Sequence, residues 1–301
     1  MGIVNAETLV ALQSTFRALF LQTYGEVTPK WPLAAMEAPS ENAAENYQWL
    51  GDVPGMKEWV DVKALEQLRG FNFSITNKDW EATLQVDRNH IDDDQLGIYK
   101  PRIMELAAEA KRHPDELISN LIKNGAASLC YDGQFFFDTD HVEGDSGSQS
   151  NKLTGTGTTV AQLTADFRAA RAAMWKFKND RGKTWLRGEP KFLVICPPDL
   201  QGAFEELFTA AMISNTTNVL KGAADVWVNP YLTDANDWVL AHVGAPIKPF
   251  ILQMRKRPEF VALDQPTAEG VFLRKKFLYG VEGRYNAGYG LWQYAILTTN
   301  T

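Results

Sequence analysis

From Leu9 onward the apolar residues Leu9, Leu12, Phe16, Leu19 and Phe20 recur three to four positions apart, the spacing of one face of an α-helix. Asn5 is placed to cap that helix, which runs to Tyr24–Gly25. The next stretch, "VTPKWPLAAMEAPSENAAEN", has no period and is rich in Pro, Ala and Ser, so it reads as an extended arm. The helix stripe therefore needs a partner outside its immediate neighbours. A helix-like segment follows around 62–68. Phe71, Phe73 and Ile75 then alternate with polar residues, as do Ala82, Leu84 and Val86. The alternation predicts two half-buried strands around an Asn77-Lys78-Asp79-Trp80 turn. So long a hairpin has little local material to cover its apolar face, and an isolated two-stranded ribbon is marginal in water. It is expected to lean on something, including another subunit.

The period changes at Lys100. Ile103, Met104, Ala107 and Ala108, then Leu117, Ile118, Leu121 and Ile122, mark a long helix ending near Gly125. Pro114 has no N–H to donate and predicts a kink, or a restart with Asp115 and Glu116 in the new first turn. A second helix is expected from Val160 to about Lys178, with Leu163, Phe167, Ala170, Met174 and Phe177 on one stripe. "KFLVICPP" reads as a buried strand and "DLQGAFEELFTAAM" as a helix with Asp199 near its cap. "ADVWVNPYL", "DWVLAHVG" and "PFILQMRKR" read as strands between turns. The last segment is two extended aromatic-rich runs joined through 283–290. The class is α+β with a mixed or antiparallel sheet.

Composition narrows the function. A chain of 301 residues, 45% of them hydrophobic, can bury a sizeable core. A net charge of -7 argues against a protein whose main task is gripping nucleic acid, so any such contact is expected to be weak and local. Two cysteines, Cys130 and Cys196, are too few for a disulfide framework or a cysteine-based zinc site. No basic and apolar leader and no membrane-length apolar run is present, so a soluble chain in a reducing compartment is expected.

The stretch "FFFDTDHVEGDSGSQS", 135–150, invites chemistry. Counted from Asp138 as a calcium loop, it fails at Val142, Glu143 and Gln149, where the geometry is most constrained. For zinc, His90, His113, His141 and His242 lack ligand spacing. The Gly144-Asp145-Ser146-Gly147 run resembles a serine-protease nucleophile loop, but it follows a long helix and no cue ties a histidine to it. Gly155-Thr156-Gly157 lacks the rest of a phosphate-cradling loop, and Asp92-Asp93-Asp94 reads as a solvated charge run. No catalytic residue, cofactor or metal is predicted, and the Asp, Glu, Gly and Ser of this stretch read as an ordinary solvated loop, with its Gly/Ser-rich run at the surface.

Five segments together resemble the Mu-like phage major head subunit (gpT) family, which has the Hong Kong 97-type capsid fold. They are "FSITNKDWEATLQVDRNHIDDDQLGIY" (73–99), "FFFDTDH" (135–141), "FLVICPPDLQGAFEELF" (192–208), "WVNPYLTDANDWVLAHVG" (227–244) and "YGVEGRYNAGYGLWQYA" (279–295). The resemblance covers essentially the whole chain. It implies an N-terminal arm (1–46), an extended β-hairpin loop (47–99), a peripheral domain with a spine helix (100–159 and 258–301) and an axial domain (160–257). On it, Asp138 and His141 are turn-forming residues, and Phe16, Phe20, Phe73, Lys78, Trp80 and Arg88 contact adjacent subunits.

The implied function is a non-enzymatic major capsid protein that self-assembles into hexamers and pentamers of an icosahedral shell around double-stranded DNA, built in the host cytoplasm and carried in the virion. Implied partners are a separate scaffolding protein, a portal and a decoration protein, with no membrane. Some proteins of this fold link a lysine to a neighbour's asparagine; Lys78 and Asn286 suggest it, but no motif supports it and no link is expected. Two other readings remain: a non-viral nanocompartment shell of the same fold, and a hydrolase using Asp138 to Ser146.

Overall fold

The computed structural model describes residues 6–47, 73–92, 96–213, 215–265 and 275–300. Helix α1 (Ala6–Glu26) leads into the short strands β1 (Ala35–Pro39), β2 (Ala44–Asn46) and β3 (Ser74–Thr76), then β4 (Lys78–Asp87) and the short helix α2 (Arg88–Asp92). Next come the long helix α3 (Lys100–Asn124), β5 (Lys152–Thr154), helix α4 (Val160–Lys176), β6 (Phe192–Cys196) and helix α5 (Gln201–Thr209). The small strands β7 (Met212–Ile213) and β8 (Thr216–Thr217) precede β9 (Asp225–Val228) and β10 (Trp238–His242). Two long strands, β11 (Phe250–Leu263) and β12 (Lys276–Tyr289), and the final β13 (Ala295–Thr299) complete the chain.

Two mixed sheets organise these elements, in line with the α+β expectation. One has the order β1-β11-β12-β4, the other β5-β13-β10-β6-β9. In the first, β1 runs parallel to β11 and the other pairs are antiparallel. Pro258 is tolerated inside β11 because β1 pairs only as far as Met254, and the β11–β12 register shifts between Lys256 and Glu259. In the second sheet β6 and β10 are buried at every position, as continuous apolar runs covered on both faces should be. Helix α4 starts at a capping box, Thr159 with Gln162, and buries Leu163, Phe167, Ala170 and Met174 in the larger core.

Helix α1 finds its partner within its own chain. Leu9, Leu12, Phe16 and Phe20 pack with Ile103, Ala107 and Ala110 of α3 and with Phe277 and Tyr279 of β12. Phe16 meets Tyr279 edge-on at 5.1 Å. The stripe read as lacking a local partner is the centre of the second core, built from residues some 90 and 260 positions away.

Three expectations are corrected. The two alternating runs around Asn77 do not form a hairpin with one another: β3 pairs with β2, and β4 pairs along its full length with β12. Asn77 lies between them, its N–H donating to Ala43 O and its side chain to Ser40 and Asn42. The alternation specified half-buried strands but not their partner, because a ten-residue ladder on β12 outweighs a short local ribbon. Pro114 neither breaks nor restarts α3, which is continuous through it; Asp115 instead accepts from Lys30 and Trp31 N–H, at 2.9 and 2.6 Å, on the turn after α1. β13 and β5 join β10 in the five-stranded sheet, because the apolar run of β13 is buried between them. Lastly, β12 runs unbroken past Gly283 to Tyr289, so the final junction lies at 290–294. Asn5, the 62–68 segment, Phe71, Asp93 and Asp94 lie outside the described residues. Among the described residues no helix is long and apolar enough to cross a membrane.

Candidate functional site

The loop after α3 is partly exposed and partly built into the core. Phe136 and Phe137 are within the core, Phe136 stacked on Tyr289 at 4.5 Å. His141 is 0% exposed, Glu143 4% and Ser146 5%, whereas Thr139, Asp140, Val142, Gly144, Asp145, Gly147 and Ser148 are exposed, so the Gly/Ser-rich run lies at the surface as expected while these three side chains point inward. Glu143 Oε1 accepts from Tyr131 Oη at 2.5 Å, from Trp292 Nε1 at 2.9 Å and from Gln293 Nε2 at 2.9 Å. His141 lies flat on Trp292, ring centres 4.0 Å apart. Its Nδ1 is 2.7 Å from Asp132 Oδ2 and its Nε2 is 3.2 Å from Asn151 Oδ1.

The Asn151 amide orientation is fixed, since its Nδ2 donates to the carbonyls of Phe136, Trp292 and Ala295. Both nitrogens of His141 therefore face acceptors, an arrangement that only the doubly protonated ring satisfies in full. His141 and Asp132 thus form a buried pair, ionic when the ring is doubly protonated. Burial raises the Asp132 carboxyl pKa, but hydrogen bonds from His141 and Cys130 and the His141 charge outweigh it and hold it below the usual carboxylate range. Burial pushes the Glu143 carboxyl up, only partly offset by its three donors.

None of this assembles a nucleophile. Ser146 Oγ donates to Gly147 O at 2.8 Å and accepts from Glu143 N at 3.0 Å, the role of a turn-fixing hydroxyl, and His141 is engaged elsewhere. Cys130, Asp132 and His141 place their polar atoms within 4.8 Å of one another, the spacing of a possible cation site. Their chemistry fits hydrogen bonding instead: Cys130 Sγ donates to Asp132 Oδ1 at 3.0 Å, and burial followed by the Asp132 charge pushes the thiol far up, away from the thiolate a metal requires. The other histidines are also engaged, His90 with Tyr99 Oη, His113 with Tyr285 Oη and His242 with Lys191 O.

The six candidate contact residues divide by burial. Phe16 and Phe20 are 0% exposed within a single chain, so in this conformation they have no surface left for a neighbour. Phe73 and Trp80 are half-buried against the larger core; Trp80 donates from Nε1 to Tyr285 O at 2.8 Å and packs on His113 at 4.4 Å. Lys78 and Arg88, at the two ends of β4, are exposed.

The model of the Mu-like prophage major head subunit gpT family matches residues 9–165, 158–232 and 233–301. The chain belongs to this family. Among its relatives, the major head subunit of the Mu-like prophage FluMu of Haemophilus influenzae is 28% identical over 295 residues, covering 98% of this chain and 74% of that protein. The major capsid protein of Escherichia phage Mu is 29% identical over 294 residues, with the same coverage. A subunit of the bacteriophage JBD30 procapsid superposes with a TM-score of 0.62 at 26% identity, over 99% of this chain and 77% of that one. The virus-like particle of Pyrococcus furiosus shares the fold, with a TM-score of 0.58 at 9% identity over 95% of this chain and 98% of that one.

The head subunit has the Hong Kong 97-type fold and is a structural capsid protein, not an enzyme. That removes the hydrolase reading and assigns the 131–151 loop to architecture. Sequence reasoning missed the partners of that loop, Trp292 and Gln293. Tyr131 and Asp132 lay just upstream of the quoted stretch, but no local spacing connects positions 150 residues apart.

Proposed function

We propose that copies of this head subunit close into hexamers and pentamers of an icosahedral shell around double-stranded DNA. The observation that carries the reading is the gpT family match from residue 9 to residue 301. In this reading the peripheral domain is built on the four-stranded sheet with α1 and α3. The axial domain is built on the five-stranded sheet with α4 and α5, taking in 152–154 and 295–299. The arm segment beyond α1 and the loop of 47–99 reach neighbouring subunits, with Phe73, Lys78, Trp80 and Arg88 at the contacts. A separate scaffolding protein and a portal are part of the proposal. So is a decorating partner, since the JBD30 capsid occurs decorated with minor capsid protein trimers. Assembly takes place in the cytoplasm of the host bacterium and the product is the virion head.

Sedimentation velocity and negative-stain microscopy test this on the full chain, expressed alone and with a candidate scaffolding protein. Closed particles, or rings of five and six subunits, are the expected result. A chain that stays monomeric under both conditions overturns the reading.

A further inference from the structure

One segment of the acidic head subunit carries a surplus of positive charge. Between Arg168 and Lys191 stand eight basic residues and two acidic ones, a surplus of six in a chain whose total is -7, so the rest of the chain carries -13. The first part of this segment is the outer face of α4. Its inner face is buried, while Arg168, Arg171, Trp175 and Lys176, at spacings of three, four and one, line an open groove with Glu189 and Pro190. Trp175 is 41% exposed. Among the described residues no carboxylate lies within 4.0 Å of the Arg168, Arg171 or Lys176 head groups, whereas Lys191 at the segment's end is paired with Asp225 at 3.2 Å.

We propose that this outer face of α4 binds the phosphate backbone of nucleic acid, with Arg168, Arg171 and Lys176 as the phosphate contacts and Trp175 packing against sugar or base. The inference rests on the shell reading for the source of the nucleic acid, which is the enclosed genome. From Arg168 to Lys176 the helix advances about 12 Å, which spans three to four phosphates at about 3.4 Å of rise along one strand. Three unpaired cations on one helical face match that row, and an exposed indole beside them supplies the sequence-tolerant apolar contact. Glu189, the one acidic residue in the groove, faces them across it and keeps the contact weak, as suits DNA that must be both packed and released.

Fluorescence anisotropy of the full chain with a random-sequence DNA duplex tests this across a salt series. Three phosphate contacts give a slope of log affinity against log salt of about -2.7, a loss of about 40-fold between 50 and 200 mM. Replacing Arg168, Arg171 and Lys176 together by Gln is expected to bring the slope close to zero. Arg171 lies over the Phe167 ring, so the Arg168→Gln/Lys176→Gln pair, which leaves it in place, guards against misfolding and is expected to give about -0.9. A control with Lys100, Lys123 and Lys221 replaced by Gln should keep the wild-type slope. An unchanged slope in the triple variant, or an equal loss in the control, overturns the site. So does a triple variant that keeps its DNA affinity but no longer forms particles, which would make the face a contact between copies. Particle formation by the unaltered chain is read separately in the sedimentation experiment, so failure here leaves the shell reading standing.

Discussion

Glu143 is a carboxylate inside the protein with three donors converging on one oxygen. Removing it orphans Trp292 Nε1, while Tyr131 Oη and Gln293 keep their hydrogen bonds to each other, and an unsatisfied buried donor costs about 1–3 kcal/mol. Glu143→Ala is therefore expected to lower unfolding stability by about 1–3 kcal/mol, measured by urea denaturation of unassembled subunits. A change below about 1 kcal/mol would refute the network. Phe16 separates a core role from a contact role in the same way. As a fully buried ring it should cost about 3–5 kcal/mol in the monomer on truncation to Ala, whereas a residue used only between subunits leaves the monomer unchanged. Lys78→Glu with Arg88→Glu is the converse: both positions are exposed, so stability should move by no more than about 0.5 kcal/mol while particle formation is lost. Normal particles from that variant would take these residues out of the contact set. The composition of 135–150 was legible as a poor metal or nucleophile site. The burial of His141 and Glu143 within it was not, because their partners include Trp292 and Gln293.

At the scale of elements, α1 and α4 were readable from their stripes, and β6 and β10 from their apolar runs. Pairing was not readable: Phe73, Ile75, Ala82 and Val86 alternate as hairpin strands would, and period-2 patterning says which face is covered without saying by what. Pro114 was misleading for a related reason, since tertiary packing on β12 and the cap that Asp115 provides to Lys30 and Trp31 hold α3 together across the missing hydrogen bond. The same helix carries a pH response. His113 sits between α3 and the sheet, against Trp80 and Tyr285. Burial lowers its pKa below 6.5, partly offset by Glu116 and Glu109. The unfolded chain then takes up the proton first, so stability falls as pH drops through about 6.5 and levels off only below the folded-state value. His242, also lowered by burial, adds a slope of the same sign. Melting temperatures between pH 7.5 and 5.5 should therefore fall less for His113→Gln than for the unaltered chain. Parallel curves would show that His113 does not contribute.

The whole molecule depends on how one sheet passes the chain to the other. β12 ends at Tyr289 in the four-stranded sheet, and six residues later β13 begins in the five-stranded one, with Trp292 fully buried between them and bonded to Glu143. Gly290 makes the turn: its N–H donates to Pro249 O at 2.8 Å, and a Cβ there would lie 2.4 Å from Lys248 O and 3.1 Å from Pro249 O. Those are backbone atoms of the link from β10 to β11, which runs beside the β12–β13 link, so they can yield only by a shift of the backbone where the two sheets are joined. Gly290→Ala is thus expected to cost about 1–3 kcal/mol, the usual penalty for overpacking. Because the strain falls on the link between two layers of a subunit that must tile a closed surface, it should also lower the yield of closed particles relative to open or aberrant ones. Counting particle forms by negative stain at a temperature where the variant remains folded separates the two effects. Particles of unaltered form and yield would mean that the turn sets stability alone and that the relative placement of the two sheets is held elsewhere.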